Sequence, residues 1–216
     1  MKKFAIILSG CGVYDGTEIH EAVMAMLAVK RNAAEYSIFA PDKEQMHVVN
    51  HLNGEVMNET RNVLTESARI ARGSITPLGQ LKSGAYDGLI LPGGYGAAKN
   101  LSSYAVAGSA MMADPEIEVV LRDFHAAARP IGAMCISPVI LAKIFVDADL
   151  TIGKDPGTAS HIEAMGARHH ISGHGTVIID HKNRFVTTPC YMIDASIADI
   201  AEDADQMVKA MLKLMV

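Results

Sequence analysis

Short, continuous apolar runs alternate along the chain with longer stretches whose apolar residues recur at helical spacing. Residues 4–8 (FAIIL) form the first run, which ends in Ser9-Gly10-Cys11-Gly12. So short a run, closed by glycines, reads as a strand buried on both faces. Over 18–31, Ile19, Ala22, Val23, Met26 and Leu27 fall on one helical face. Asp15, Gly16 or Thr17 is placed to cap that helix. A second strand is expected at 36–41, ended by Pro41, then a small hairpin over 47–57 around Gly54. The stretch 60–73 reads as a helix stopped by Gly73. The clearest strand lies in YDGLILPGG at 86–94. A helix over 114–130 carries Pro115 in its first turn, and a strand at 130–135 and a helix at 137–145 follow. TVIID (176–180) and RFVTTP (184–189) predict a hairpin about His181-Lys182-Asn183, and a last helix spans about 193–215.

Strands alternating with helices argue for a mainly parallel sheet covered on both faces, an α/β doubly wound sandwich built as one domain over 1–216. Ligands of such sheets sit beyond the carboxyl ends of the strands. SGCG, PGGYGAAKN, MCIS and TTPCY all fall at such ends. Independent strand assignments therefore converge on one sheet edge.

Half of the residues are apolar and the formal net charge is −5, so no electrostatic attraction to nucleic acid is expected. No run approaches the length of a membrane span. The opening MKKFAIILSGCG reads as a buried strand rather than a targeting peptide. Three cysteines, Cys11, Cys135 and Cys190, do not resemble a secreted disulfide framework, and a reducing, cytoplasmic location is expected. Their spacing matches no structural zinc pattern, so no metal is expected. Met24, Met26, Met111 and Met112 suit either a homodimer surface or the core.

Cys135 lies where a strand turns sharply into a helix. A side chain at such an elbow projects over the sheet edge, on a backbone forced into sparsely populated φ/ψ space. The N–H groups and dipole of the following helix favour thiolate over thiol, and thiolate is the nucleophile. A buried structural cysteine is the plainer alternative; the elbow context favours a reactive, exposed thiol. Adjacent glycines in LPGGYG let backbone N–H groups approach a substrate oxygen, so donors at Gly94 and Ile136 are candidates to hold an oxyanion. GCGVYDG lacks the third glycine of a dinucleotide fingerprint.

LILPGGYGAAKNL (89–101) followed by IGAMCISPVIL (131–141) resembles the class I glutamine amidotransferase-like (ThiJ/PfpI) superfamily. Within it, the pattern resembles the branch of intracellular proteases, glyoxalase III enzymes and the parkinsonism-associated deglycase. ILSGCGVYDGTEIHEAV, FAPD, NHLNGE, ETRNVL, ARIARG and VTTPCYM are more similar still to the ElbB-type proteins, described as glyoxalase-like or isoprenoid-biosynthesis proteins. The resemblance covers nearly the whole chain. It implies a flavodoxin-like sandwich with the reactive cysteine at a nucleophile elbow, and a glutamate of the first helix hydrogen-bonded to it. Glu21 and Glu18 compete for that role: Glu21 keeps the expected distance to the helix end, whereas Glu18 lies in the first turn, nearer the inward face. A protonated carboxyl there donates to the thiolate and lowers the thiol pKa, and an ionised one repels it.

The sequence departs from the superfamily at one place. Amidotransferases and the protease branch have histidine directly after the cysteine, and here that residue is Ile136. Hydrolysis of glutamine or peptides, which must protonate a poor leaving group, is therefore disfavoured. Any of His161, His169, His170 and His174 could fold back toward Cys135, but the simpler expectation is that they face solvent. Lys99 and Asn100 would border the pocket, with Asn100 orienting a carbonyl or capping the loop; Thr188 and Pro189 would line it. The resemblance implies a glutathione-independent, glyoxalase III-type lyase that converts small dicarbonyls to 2-hydroxy acids without cofactor or hydrolytic step. The alternative is a non-enzymatic redox-sensing or stress-response protein, acting through oxidation of Cys135 to sulfenic acid and linked only indirectly to isoprenoid metabolism.

Overall fold

The computed structural model describes residues 1–215. Its strands are β1 (Lys3–Ile7), β2 (Glu35–Ala40), β3 (Thr76–Pro77), β4 (Gly88–Leu91), β5 (Ile131–Met134), β6 (Asp149–Leu150), β7 (Arg168–His169), β8 (Ile178–Asp180) and β9 (Phe185–Thr188). The α-helices are α1 (Ile19–Arg31), α2 (Val63–Ile70), α3 (Tyr95–Lys99), α4 (Tyr104–Ala107), α5 (Pro115–Ala126), α6 (Pro138–Ile144), α7 (Pro156–Ala164) and α8 (Ile197–Leu214). A seven-stranded sheet runs β3-β2-β1-β4-β5-β9-β8, and β6 pairs with β7 apart from it. Every pairing in the large sheet is parallel except β8 with β9, the expected hairpin. This is the flavodoxin-like α/β arrangement. From β1 the chain builds outward to β2 and β3, then crosses back to β4 and builds the other way. The crevice beyond β1 and β4 is the topological switch point where such sheets bind ligands.

The continuous apolar runs follow from helices on both faces. Ile7, Leu89 and Ile131 point into one core with Leu121 and Phe124 of α5. Their neighbours Phe4, Ile6 and Ile90 point the other way, under α1 and α8, with Ala25, Met207 and Met211. Period-two alternation is thus present, but both sets are apolar.

Helix α1 packs only partly as its sequence pattern predicts, with Ala22 facing inward and Met26 half-buried. Ile19, Val23 and Leu27 are 42%, 41% and 37% exposed, whereas Ala22, Ala25, Ala28 and Val29 face inward. Small side chains let α1 lie close to the sheet and to α8, and larger ones are left outside. The hairpin expected over 47–57 is reduced to an isolated antiparallel bridge, Val49 with Val56, turned by Gly54. Helix α8 begins later than expected because Ser196 and Asp199 form a capping box. Met111 is fully buried in the core, not on a surface; Met24 and Met26 are partly buried and Met112 is exposed. Among the described residues no helix is long and apolar enough to cross a membrane.

Phe124→Ala and Met207→Ala empty the two cores on opposite sheet faces. Each is expected to lower unfolding free energy by about 2–5 kcal/mol, measured by urea denaturation.

Candidate active site

Cys135 sits between the end of β5 and the start of α6 with φ at +59°. A non-glycine residue there costs about 1–3 kcal/mol, so its surroundings must hold it. The Cys135 N–H donates to the carbonyl of Thr188, the last residue of β9, at 3.0 Å, and the Ser137 N–H to Met134 at 3.0 Å. The buried Ser137 hydroxyl donates to the Pro92 carbonyl just beyond β4 at 2.7 Å. Contacts at the ends of both neighbouring strands thus fix the elbow.

Gly93 joins the elbow to α1. Its N–H donates to Glu21 Oε2 at 2.8 Å, and its carbonyl accepts the Glu18 N–H at 3.0 Å. A Cβ on Gly93 would stand 2.4 Å from Cys135 Cβ, 2.6 Å from Glu21 Oε2 and 3.0 Å from Cys135 Sγ. Only a hydrogen fits, and this allows carboxyl and sulfur to flank the same point.

Glu21 is fully buried, and its carboxyl lies beside the Cys135 sulfur, both against the α-carbon of Gly93. Its Oε1 accepts the Tyr191 N–H at 3.4 Å. Burial, and then the charge of Glu18, raise its pKa to about 8 against the pull of these hydrogen bonds. At neutral pH Glu21 is mainly a protonated acid. Glu18 does not reach the sulfur: it is the N-cap of α1, with Oε2 accepting the Glu21 N–H at 2.7 Å. The expected caps are engaged elsewhere, Asp15 by the Val49 N–H and Thr17 by the Ser9 N–H, each at 2.7 Å.

The cysteine is not the exposed, ready thiolate expected. Cys135 is only 7% exposed. Burial, then the Glu21 carboxylate, hold its pKa well above the usual thiol value; hydrogen bonds from the Gly94 and Ile136 N–H groups oppose this and do not prevail. Desolvation outweighs the stabilisation that the sequence led one to expect. The resting sulfur is a thiol.

That sulfur borders a cavity of about 650 Å³, walled by Gly94, Ile136, Tyr104, Thr158, His161 and Tyr191 among others. Gly94 and Ile136 are thus gathered at Cys135 as the sequence suggested. Asn100 is not. Its amide donates to Ser9 O at 2.8 Å and Asp15 O at 2.9 Å, and its Oδ1 accepts the Met46 N–H at 2.9 Å, so it clamps loops and has no free carbonyl-orienting group. Lys99 is turned to the Tyr14 carbonyl. Thr188 contributes its carbonyl to the elbow, and Pro189 packs against Gly153. Cys11 is half-buried and Cys190 fully buried, both with pKa raised chiefly by burial. His161 is the histidine that enters the cavity; His169, His170 and His174 bond Ile152, Asp149 and Asp203. Sequence reasoning passed over α7, which delivers His161, although Asp155 as cap and Pro156 in the first turn were readable start signals.

Two outcomes follow from this geometry. The ordinary carboxyl value is 4.5 and the folded value about 8. Between them the unfolded chain loses the Glu21 proton and the folded chain keeps it, so this group's contribution to stability falls as pH rises. Glu21→Gln should flatten that decline and make the variant more stable relative to wild type at pH 8.5 than at pH 5, by on the order of a few kcal/mol, read by thermal and urea unfolding at both pH values. Asn100→Ala, which strands two buried carbonyls and the part-buried Met46 N–H, should cost about 2–4 kcal/mol in the same assay.

No protein-family model matches the chain. The "ES1 protein homolog, mitochondrial" of Rattus norvegicus is 47% identical over 222 residues, covering 98% of this chain and 84% of that one. The human "Glutamine amidotransferase-like class 1 domain-containing protein 3, mitochondrial" is 46% identical, covering 98% and 83%. Among solved structures, an isoprenoid biosynthesis protein with an amidotransferase-like domain from Ehrlichia chaffeensis matches over the whole of both chains at 36% identity and a TM-score of 0.93. A ThiJ/PfpI domain protein from Brachyspira murdochii, at 12% identity, covers 98% and 96% with a TM-score of 0.60 and shows the fold alone. Both mammalian relatives are named as mitochondrial, which overturns the expectation of a purely cytoplasmic location. The chain belongs to the glutamine amidotransferase-like class 1 family, with the ES1 proteins and the Ehrlichia isoprenoid biosynthesis protein.

Proposed function

We propose that the chain is a cysteine-dependent, glutathione-independent glyoxalase that converts small 2-oxoaldehydes such as glyoxal and methylglyoxal to 2-hydroxy acids. The observation that carries this reading is the buried Glu21 carboxyl set beside the Cys135 sulfur against Gly93, at an elbow on a cavity wall. A superfamily with glyoxalase-like members supplies the wider support.

The starting form of the pair is carboxylate beside thiol. Glu21 accepts the thiol proton as sulfur adds to the aldehyde carbon, so no standing thiolate is needed. The new oxyanion lies toward the Gly94 and Ile136 N–H groups. Glu21 returns its proton to that oxygen and completes a hemithioacetal. The carboxylate then takes the hydrogen from the former aldehyde carbon and delivers it to the neighbouring carbonyl oxygen, giving an enediol. It next takes the hydroxyl proton of the sulfur-bearing carbon and delivers it to the neighbouring carbon, which leaves a 2-hydroxy thioester on Cys135. Water cleaves the thioester, releasing the 2-hydroxy acid and restoring the thiol. The balance is one water added per dicarbonyl, with no external oxidant or reductant. The expected absence of a hydrolytic step fails on this balance, because isomerisation on sulfur ends at a thioester.

The redox-sensing alternative requires an exposed thiol of low pKa. Burial and the upward pKa direction at Cys135 weigh against it.

Methylglyoxal consumption without glutathione should be slow but enzyme-dependent, and Cys135→Ala and Glu21→Gln should each lower kcat/KM by about 100-fold or more. The rate of the wild type should climb as pH rises through about 8, because only ionised Glu21 accepts the thiol proton. Undiminished turnover in Cys135→Ala would sink the reading.

A further inference from the structure

The cavity over Cys135 is far larger than a three-carbon dicarbonyl. At about 650 Å³ it lies within the roughly 300–1,000 Å³ of sites that enclose ligands of many heavy atoms. Tyr95, Tyr191, Ile136 and Met192 offer it aromatic and apolar surface. Among the described residues lining it there is no Lys or Arg, and its Asp155 side chain is engaged in capping α7 through the Thr158 N–H at 2.7 Å. A phosphate or carboxylate tail finds no cation there.

A second polar pole shares this cavity with the thiol. The Tyr104 hydroxyl meets His161 Nδ1 at 3.0 Å, and the rings stand edge to face with centroids 5.7 Å apart. Gly108 fits against the imidazole: a Cβ there would lie 3.1 Å from Cε1 and 3.4 Å from Nε2. The ring is thus held on two sides, with Nδ1 engaged and Nε2 without a protein hydrogen-bond partner among the described residues. A histidine fixed in this way is built to present Nε2 to something in the cavity.

We infer that the site takes an uncharged 2-oxoaldehyde with an aromatic-sized body and a distal hydrogen-bonding group, held between Cys135 and the His161–Tyr104 pair. The aldehyde end meets the sulfur, the body covers the tyrosine and methionine walls, and the distal group bonds His161 Nε2. The inference rests on the glyoxalase reading for the chemistry at the sulfur, and on the cavity for the size and polarity of its occupant. It also accounts for product release, because the 2-hydroxy acid leaves as an anion that this lining does not hold.

The test compares methylglyoxal, phenylglyoxal and 4-hydroxyphenylglyoxal as substrates without glutathione. Wild type should show a KM for 4-hydroxyphenylglyoxal at least about tenfold below that for methylglyoxal. His161→Leu should raise the 4-hydroxyphenylglyoxal KM about fivefold, to the phenylglyoxal value, and leave methylglyoxal within about twofold. His161→Gln, which keeps a hydrogen-bonding side chain, should restore part of the preference. Tyr104→Phe should weaken it while keeping the ring. Equal use of all three substrates, or a His161→Leu effect of the same size on each, would overturn the inference. If none of the three is turned over, the glyoxalase reading fails by itself, and ligand binding measured by isothermal titration calorimetry decides the cavity assignment. Saturable binding of 4-hydroxyacetophenone but not of acetone, weakened by His161→Leu, sustains it, and no binding of either overturns it.

Discussion

Three segments of the chain meet at a point where only a hydrogen atom fits. The turn after β4, the first helix and the elbow after β5 all approach the α-carbon of Gly93, and a methyl group there would lie within 3.0 Å of Cys135 and Glu21 atoms. The same residue uses both its backbone polar groups on α1: its N–H holds the Glu21 carboxyl and its carbonyl holds the Glu18 N–H at the cap. The separation of acid and sulfur is thus set by backbone geometry, not by side-chain rotamers. Backbone in a sheet-to-helix turn is stiff, and a pair positioned by it is preorganised without further ordering cost on substrate arrival.

This close burial determines the electrostatics. Two ionisable groups share a site from which water is largely excluded: burial and the charge of Glu18 keep Glu21 protonated, and burial and the Glu21 carboxylate keep Cys135 protonated, so both hold their protons longer than in water. Burial makes the resting sulfur a poor target for oxidants, yet leaves a base that becomes available in the pH range where cells work. Nucleophilic attack needs only an internal proton transfer, which creates no net charge in the buried pair. Two N–H groups that already face the sulfur are then close to the oxygen that gains charge as the carbon–sulfur bond forms. A standing thiolate would require that buried charge to be stabilised at all times.

Features set by neighbouring residues were legible in the sequence. FAIIL and GLIL read as buried strands because a sheet covered on both faces leaves no polar alternation, and the elbow at Cys135 follows from a strand, a small residue and Ser137-Pro138 in succession. Features set by distant segments were not. Glu18 and Glu21 stand three positions apart, so helical spacing places them on nearly one face; the capping bond at Glu18 decides between them, and it depends on how α1 enters from the loop. The apolar stripe of Ile19, Val23 and Leu27 misled because the sheet and α8 demand small residues at the contact, and alanines carry little weight in an amphipathic pattern. Desolvation of Cys135 arises from segments far away in sequence, including Tyr191 and Gly93, which no local reading assembles.

Ile136 occupies the position where amidotransferases and the protease branch of this superfamily carry histidine. Here its N–H serves the sulfur and its side chain packs against the cores on both sheet faces. Proton transfer at the sulfur therefore falls to Glu21, a carboxyl whose pKa lies near 8. Such a group matches the movement of a proton between thiol, oxygen and adjacent carbon, where donor and acceptor alternate over a short distance. It is poorly matched to amide cleavage, where an amine must be protonated as it departs while the same base has just taken the nucleophile's proton. A thioester leaves a thiol, a much better leaving group, and makes no such demand. The exchange of a histidine for a packing residue thus moves the site away from hydrolysis of stable amides and toward rearrangement of carbonyl compounds.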